Sequence, residues 1–365
     1  MYSLDIDDSQ PIVPRGFNLD TLLRYVSRII HSPLTSYLVV NALSQRLLTS
    51  SSRQIQPKDK IAAAAALWTA TTFVLPSICR LSARLVFRPT TVNWNSEIVV
   101  VTGGSHGVGL ELTKRLLRAN ARVAIIDVNP PPDFGQQFSG LCKYYRCDIT
   151  DTSNVKAIAD KIRADLGDPT MLVNNAGIVV AKLLLDMSDS EVNNVIDVNL
   201  TAHFHLIRQF LPAMIACNRG HIVSIGSIVS FVGTPQASTY CASKGGVKLL
   251  HDSMRREVAS RYGASGIQFS IAYPGIINTG LFRGLDLGQF FLPTLRPDSI
   301  ARAVFAALES GKAREIFLPQ TAGILPLLHA FSQNARTAIV NAIAGGDVAM
   351  ANFSGHVKYA GKQKK

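Results

Sequence analysis

From Glu97 onward, short apolar runs alternate with stretches in which apolar residues recur at helical spacing. The run Ile98–Val101 is β-branched throughout, which is typical of a strand buried on both faces. A helical pattern begins at Val108, directly behind the glycines that follow this run. Strands separated by helices imply right-handed crossovers, so the pattern predicts an α/β fold with a doubly wound parallel sheet and helices on both of its faces.

The same patterning predicts the remaining elements of this region. Further strands are expected at 122–126, 141–147, 171–173, 221–225, 268–273 and 315–318. Further helices are expected at 153–166, 189–216, 240–262 and 298–310. The region 97–319 therefore has the size and the alternation of one α/β catalytic domain.

Residues 1–90 lack this alternation and form an N-terminal leader. Apolar residues from Leu19 to Ile30 fall on one helical face, with Arg24 and Arg28 on the other, which predicts an amphipathic helix. The stretch 61–79 carries no charged residue and is just long enough to cross a hydrocarbon core of roughly 30 Å. Because it is rich in alanine and has Pro76 near its end, a buried packing helix is the alternative to a membrane segment.

Residues 320–365 form a C-terminal extension with leucines, an alanine-rich helical stretch and a basic tail. The chain of 365 residues has a net charge of +12, and the excess of basic residues lies mainly in the leader and this extension. Basic flanks suit an anionic membrane surface, and solvated tails are the alternative. Because no zinc spacing or basic–aromatic pattern accompanies the charge, a nucleic-acid partner is not expected.

The five cysteines form no C-x-x-C pair, and no histidine cluster stands beside them. This usage predicts reduced thiols in a reducing compartment. No metal site is expected.

Three spaced glycines follow the first strand. Thr102 ends the strand, and Gly103, Gly107 and Gly109 lead into the next helix. A strand, a glycine turn and a helix start place bare backbone N–H groups and the positive helix end where a pyrophosphate can bind. Asp127 follows the second strand, where a ribose-binding acid belongs. The spacing therefore predicts a dinucleotide site, with a glycine turn of some other α/β fold as the alternative.

A tyrosine and a lysine with helical spacing are the candidate proton-transfer pair. Tyr240 and Lys244 share a helix face. A free tyrosine has a pKa of about 10 and is a poor base at neutral pH, but a nearby ammonium group and an oxidised nicotinamide would favour the phenolate and lower its pKa. Ser227, just past a strand, can donate a hydrogen bond to a reacting oxygen. An ordinary surface pair is the alternative for Tyr240 and Lys244.

Several motifs occur in one order along 97–319. They are Thr102-Gly103-x-x-x-Gly107-x-Gly109, Asn174-Asn175-Ala176-Gly177, Ser227, Tyr240-x-x-x-Lys244 and Pro274-Gly275. This combination resembles the classical short-chain dehydrogenase/reductase family, and the extension is most similar to the membrane- and lipid-droplet-associated retinol and hydroxysteroid dehydrogenases. The resemblance implies a Rossmann-like fold and four catalytic residues: Asn199, Ser227, Tyr240 and Lys244. It also implies that Asn199 holds a water in a proton relay to the lysine.

The resemblance further implies a set of cofactor-binding residues: Gly103, Ser105, His106, Gly107, Gly109, Asp127, Asp148, Asn174, Tyr240, Lys244, Pro274, Gly275 and Thr279. Within it, Asp148 contacts the adenine, Asn174 lines the adenosine side and Thr279 holds the nicotinamide carboxamide. Asp127 would bind the ribose hydroxyls and repel a 2′-phosphate, so NAD is expected and NADP is disfavoured. His106 stands where NADP-binding members usually place a basic residue, but it is mostly neutral at pH 7.

The segment 280–293 is rich in leucine and phenylalanine, and in the family it covers the substrate. This favours a small lipophilic alcohol or ketone over a sugar, with packing of the segment in the core as the alternative. The expected function is thus NAD-dependent interconversion of a retinoid, steroid or fatty alcohol and its carbonyl. The alternatives are an NADPH-dependent keto-lipid reductase of the ketosphinganine type and a catalytically silent nucleotide-sensing scaffold. The expected partner is the endoplasmic-reticulum membrane or a lipid-droplet surface, with the catalytic domain in the cytosol, and homodimer formation stays open.

Overall fold

The computed structural model describes residues 18, 19, 21 and 22, 92–278 and 293–344. Most of the leader, including the amphipathic helix beyond Leu22 and the stretch 61–79, lies outside these residues. The same holds for Thr279, for the rest of the substrate segment up to 292 and for the basic tail. Across the described ranges, no helix combines the length and the apolar character that a membrane crossing requires.

A seven-stranded sheet forms the centre of the catalytic domain. Its strands stand in the spatial order β3-β2-β1-β4-β5-β6-β7, and every neighbouring pair is parallel. In chain order the strands are β1 Ile98–Thr102, β2 Arg122–Asp127, β3 Cys142–Arg146, β4 Met171–Asn174, β5 Gly220–Ile225, β6 Ile267–Pro274 and β7 Glu315–Leu318. This order confirms the predicted doubly wound, Rossmann-like sheet, because the chain winds outward in both directions from β1.

Helices connect the strands. From Glu97 to the end of the described chain they are α1 Gly107–Arg118, α2 Thr152–Leu166, α3 Asp189–Ile196, α4 Ala202–Cys217, α5 Ser238–Ser260, α6 Pro297–Glu309 and α7 Gln333–Ala344. The single helix predicted over 189–216 is instead α3 and α4 joined by a π-helical turn, Asp197–Thr201. A short 3₁₀ turn, Ile228–Ser230, follows β5, and a longer 3₁₀ helix, Gln320–Ala330, opens the C-terminal extension.

The core lies on both faces of the sheet. Strand β1 is buried at every residue, and successive side chains point to opposite faces. Val100 packs in a cluster with residues of α2 and α4, whereas Val99 and Val101 pack in a cluster with residues of α1 and α6. The β-branched run predicted to be buried on both faces therefore separates the two helical layers.

The extension packs against the strands at one end of the sheet. Ala322, Leu325 and Leu328 of its 3₁₀ helix share a buried cluster with Phe231 and Tyr273. Ile339 and Val340 of α7 pack against the same cluster. The extension thus lies directly behind the turn that follows β5.

Candidate active site

A cleft of about 680 Å³ opens at the carboxyl edge of the sheet. It lies where β1 neighbours both β2 and β4, so the chain leaves the strands there in opposite directions. Ligands of doubly wound sheets bind at such a switch point, because the diverging connections leave a crevice. Residues from the ends of β1, β2, β4, β5 and β6 line this cleft.

The glycine turn after β1 forms one wall. Gly103 has φ +65° and Gly107 has φ +55°, in the left-handed region that favours glycine. A Cβ on Gly109 would lie 2.2 Å from the carbonyl oxygen of Gly103, so helix α1 approaches the turn too closely for any side chain there. Because Gly103 and Gly107 face the cleft, the wall presents backbone and the N-terminal end of α1 to a ligand.

The carboxylate of Asp127 is held at the edge of the cleft by two backbone amides. The N–H of Ser105 donates to Oδ2 at 3.1 Å, and the N–H of Asn129 donates to Oδ1 at 3.0 Å. The hydroxyl of Ser105 donates to the carbonyl oxygen of Asn129 at 2.7 Å, which ties the glycine turn to the end of β2. Both carboxylate oxygens are thereby fixed in orientation.

The structure divides the predicted cofactor residues into two groups. Nine of them line the cleft: Gly103, His106, Gly107, Asp127, Asp148, Tyr240, Lys244, Pro274 and Gly275. Ser105 and Gly109 are not among its lining residues, because Ser105 is buried beneath the turn and Gly109 packs on Gly103. Thr279 lies outside the described residues.

Asn174 was predicted to line the adenosine side, and it is not among the residues that line the cleft. Strand β4 extends to Asn174, whose side chain is buried in the sheet with 1% of its surface exposed. The next residue, Asn175, lines the cleft. Its side-chain amide donates to the carbonyl oxygens of Thr102 at 2.9 Å and Gly103 at 3.2 Å, so it also anchors the glycine turn.

Sequence reasoning gave Asn175 no role of its own, although its position directly after a parallel strand is a usable signal. Two further lining residues, Asn194 and Val198, come from α3 and the π-helical turn, and no motif indicates them. Ile277 and Asn278 line the cleft after β6.

The residues present fit a nicotinamide dinucleotide. The glycine wall offers backbone N–H groups without side-chain obstruction, and Asp127 offers two oriented acceptors for ribose hydroxyls. Asp148, at the end of β3, lines the same end of the cleft. By contrast, the described residues include no group of three or more His, Cys, Asp or Glu that could hold a metal ion.

Three of the four predicted catalytic side chains line the cleft at the ends of β5 and β6. Tyr240 and Lys244 on α5 and Ser227 after β5 all line the cleft, and each is less than 10% exposed. The Lys244 ammonium donates to the carbonyl oxygen of Ile225 at 2.7 Å and lies 5.8 Å from the centre of the Tyr240 ring. The Ser227 hydroxyl donates to the carbonyl oxygen of Pro274 at 3.4 Å.

The surroundings of Tyr240 act on its pKa in opposite directions. Burial raises this pKa, and the hydrogen bond with Ser227 is the effect that lowers it. The Lys244 ammonium donates to the Ile225 carbonyl, and burial lowers the lysine's own pKa to about 8. The expected lowering of the Tyr240 pKa by Lys244 stays a prediction. The contribution of the positive nicotinamide to the phenolate stays a prediction.

Asn199 lies beneath the cleft and does not line it. Its amide nitrogen donates to the carbonyl oxygen of Ile178 at 2.9 Å and to the hydroxyl of Ser243 at 3.1 Å. Its amide oxygen accepts the N–H of Ile178 at 2.8 Å. These contacts show a side chain that joins the loop after β4 to helix α5, and its predicted water in a proton relay stays a prediction.

A family model described as short chain dehydrogenase matches residues 97–289. Dehydrogenase RED2 of Cochliobolus heterostrophus is 38% identical over 185 residues, which cover 51% of this chain and 69% of that protein. Epidermal retinol dehydrogenase 2 of Mus musculus is 35% identical over 223 residues, which cover 59% of this chain and 72% of that protein.

Solved structures share the fold. An aldohexose dehydrogenase of Thermoplasma acidophilum superposes with a TM-score of 0.53 at 25% identity, covering 62% of this chain and 95% of its own. A metagenomic short-chain oxidoreductase in complex with NADP superposes with a TM-score of 0.50 at 26% identity, covering 62% and 98%.

The family match spans the sheet, the glycine turn and the Tyr240–Lys244 helix, which are the parts that build the cleft. Relatives that cover this region are named as dehydrogenases, and a structural neighbour carries NADP. These similarities favour an enzyme over the catalytically silent scaffold. The chain belongs to the short-chain dehydrogenase/reductase family of oxidoreductases that act on alcohols with NAD(P), and within it stands close to the retinol dehydrogenases.

Proposed function

We propose that this protein interconverts a small lipophilic alcohol and its carbonyl compound, with NAD as the preferred cofactor. The observation that carries the proposal is that Ser227, Tyr240 and Lys244 line one cleft together with the glycine turn and Asp127. When bound, the nicotinamide cofactor supplies or accepts the hydride at the reacting carbon. The chain's own residues bind the two reactants side by side and move the proton at oxygen.

Tyr240 is the proton-transfer group. Its hydroxyl donates a proton to the oxygen of a carbonyl substrate, or accepts the proton of an alcohol, within hydrogen-bond reach of Ser227. Ser227 donates a hydrogen bond to the same substrate oxygen and stabilises the charge that develops there. Lys244 holds positive charge under the site, with its ammonium fixed by the Ile225 carbonyl.

The preference for NAD rests on Asp127. Its carboxylate is fixed by two backbone amides, so it cannot turn away from a ligand without losing both hydrogen bonds. Such an acid accepts hydrogen bonds from an unmodified ribose and repels a 2′-phosphate. A family neighbour binds NADP, so the fold alone does not decide the choice; this side chain supports NAD.

The preference for a lipophilic substrate is supported by apolar residues beside Tyr240. Val179 and Ala181, after β4, pack against Tyr240, and the leucines at 183–185 that follow are exposed, Leu185 by 97%. Apolar surroundings of the proton-transfer group favour an apolar substrate. A relative named for retinol supports the same class, whereas the NADPH-dependent keto-lipid reductase remains the second candidate and is disfavoured by Asp127.

Replacing the proton-transfer group tests the reaction. The purified protein is incubated with NAD or NADP and a panel of retinoids, steroids and fatty alcohols, and reduced cofactor is followed by absorbance. Tyr240→Phe keeps the ring and removes the hydroxyl, so we expect turnover to fall at least about a hundredfold while NAD binding is retained. Tyr262→Phe, at an exposed tyrosine, is the matched control and should behave as wild type. Turnover of Tyr240→Phe within a few-fold of wild type would refute the mechanism.

A membrane or lipid-droplet surface is the proposed location. The supporting features are the uncharged stretch 61–79, the amphipathic pattern from Leu19 and the basic flanks. We expect the full chain to sediment with endoplasmic-reticulum or lipid-droplet membranes and to be released by detergent. Recovery of the full chain in the high-speed supernatant would count against this location and leave the reaction untouched.

A further inference from the structure

We infer that His329, in the C-terminal extension, is a positioning residue for catalytic Ser227. The inference rests on the proposed function, in which Ser227 binds the substrate oxygen. It concerns the turn Ser227–Phe231, called here the serine turn, and the contact that the extension makes with its last residue.

The serine turn is held at its start by its own hydrogen bonds. The N–H of Val229 donates to the Ser227 hydroxyl at 3.3 Å, and the N–H of Ser230 donates to the Ser227 carbonyl oxygen at 3.0 Å. The Ser230 hydroxyl donates to the carbonyl oxygen of Lys244 at 2.9 Å. The position of the catalytic hydroxyl therefore depends on the backbone of the whole turn.

The other end of the turn is held from the extension. His329 Nε2 lies 3.0 Å from the carbonyl oxygen of Phe231. Because a carbonyl oxygen only accepts, Nε2 carries the hydrogen and donates it. His329 Nδ1 is then the acceptor, and Arg336 donates to it at 2.9 Å from α7. The arginine thus fixes the ring orientation and the tautomer in which His329 can reach the turn.

The Phe231 side of this contact is buried, whereas the His329 residue is exposed. The ring of Phe231 is buried and meets Tyr273 edge-on, with ring centres 4.8 Å apart. Leu325 and Leu328 of the extension pack in the same cluster as Phe231 and Ile228. A single hydrogen bond placed on such a packed turn can fix its last peptide, because the neighbouring side chains leave few other arrangements.

The consequence extends to Tyr240. The hydrogen bond between Ser227 and Tyr240 lowers the pKa of Tyr240 against the rise caused by burial. Without the hydrogen bond from His329 to Phe231, the serine turn would hold Ser227 less firmly. Ser227 would then stabilise the charge on the substrate oxygen less well, and its hydrogen bond with Tyr240 would weaken. His329 therefore acts on the reaction through Ser227 and touches neither substrate nor cofactor.

The test compares three full-length variants with the wild type, using any substrate that the wild type turns over. His329→Leu removes the donor, and we expect kcat to fall about tenfold and the pH profile of alcohol oxidation to move to higher pH, with KM and NAD affinity within about twofold. His329→Gln keeps an amide donor near the position of Nε2 and should restore both kcat and the pH profile. Thr337→Ala, at an exposed residue next to Arg336, is the control and should leave both unchanged.

Hydrogen exchange of the peptide that contains the serine turn supplies a readout that needs no turnover. We expect faster exchange in His329→Leu than in the wild type, and protection again in His329→Gln. An unchanged exchange pattern, or a His329→Leu variant that loses thermal stability while its kcat and pH profile stay those of wild type, would overturn the inference. A wild type without turnover on any panel compound would count against the proposed function. The hydrogen-exchange result would still test the role of His329 in holding the serine turn.

Discussion

Asp127 is the side chain on which cofactor choice depends. We expect wild-type protein to bind NAD at least about tenfold more tightly than NADP, and Asp127→Ala to narrow or reverse that ratio, because the substitution removes both the ribose acceptor and the repulsion of a 2′-phosphate. Cofactor titration by fluorescence measures both affinities. Asp133→Ala, at an acid in the loop after β2, is the control. A wild type that already favours NADP would contradict our interpretation of this residue.

Ser227 should set the pH dependence of the reaction. Its hydrogen bond with Tyr240 lowers the pKa of Tyr240, so Ser227→Ala removes this offset to the rise caused by burial. Alcohol oxidation needs the deprotonated tyrosine, so the rising limb of its rate against pH should move to higher pH, with kcat lowered about a hundredfold or more. Ser260→Ala, at the exposed end of α5, should leave the profile in place. An unshifted profile for Ser227→Ala would mean that the hydrogen bond does not act on Tyr240.

For single residues, the sequence identifies the reactive side chains better than it predicts their positions and contacts. Tyr240, Lys244, Ser227 and Asp127 could be found because each reaction step needs a particular residue type, and spacing put them at strand ends or on one helix face. The orientation of the Lys244 ammonium toward the Ile225 carbonyl depends on how α5 packs against β5, which no local pattern specifies. The burial of Asn174 depends in the same way on where β4 ends.

At the scale of the elements, a buried ion pair joins helices α1 and α6. Arg115 and Asp298 lie 2.6 Å apart, and both are nearly buried. Asp298→Ala removes the Asp298 carboxylate from its contact with a buried guanidinium, so we expect the free energy of unfolding to fall by about 3–5 kcal/mol, measured by urea denaturation. Asp160→Ala breaks an exposed pair on α2 and should cost less than about 1 kcal/mol.

The double variant Arg115→Met, Asp298→Leu separates charge from packing. Apolar side chains of similar volume remove both buried charges, so most of the lost stability should return. A double variant no more stable than Asp298→Ala would show that the loss comes from packing of α6 and not from the broken Arg115–Asp298 ion pair.

The elements themselves could be predicted from hydrophobic periodicity, because each strand and helix of the domain buries a regular face. The π-helical turn at Asp197–Thr201 could not, since it interrupts a continuous helical pattern. Asn199 binds the loop after β4 and helix α5 from within this turn, so tertiary hydrogen bonds accompany the change of helix type. The contact of the extension with the serine turn is likewise a long-range feature, because it joins residues 98 positions apart.

For the whole molecule, the switch point of the sheet explains why chemistry from distant parts of the sequence converges. The parallel strands all end at one edge, so the glycine turn, Asp127, Asp148, Ser227 and Pro274 meet there although long helical connections separate them. The extension contacts the turn after β5 at Phe231, through His329. The glycine turn, the catalytic side chains and the contact of the extension thus lie along one row of strand ends.

Three buried histidines should make the whole fold sensitive to acid. Burial lowers the pKa of His203 to about 3 and of His221 and His251 to about 4, against 6.5 for the ordinary side chain. Below about pH 6.5 these histidines bind protons in the unfolded chain but stay neutral in the folded chain. The free energy of unfolding should therefore fall as pH decreases toward 4, by up to about 1.4 kcal/mol per pH unit for each histidine. Urea denaturation at pH 7 and pH 5 measures this slope. His251→Leu should make this slope smaller, whereas His106→Gln, at an exposed histidine, should leave it unchanged. Equal stability of the wild type at both pH values would show that the buried histidines do not set the acid sensitivity of the fold.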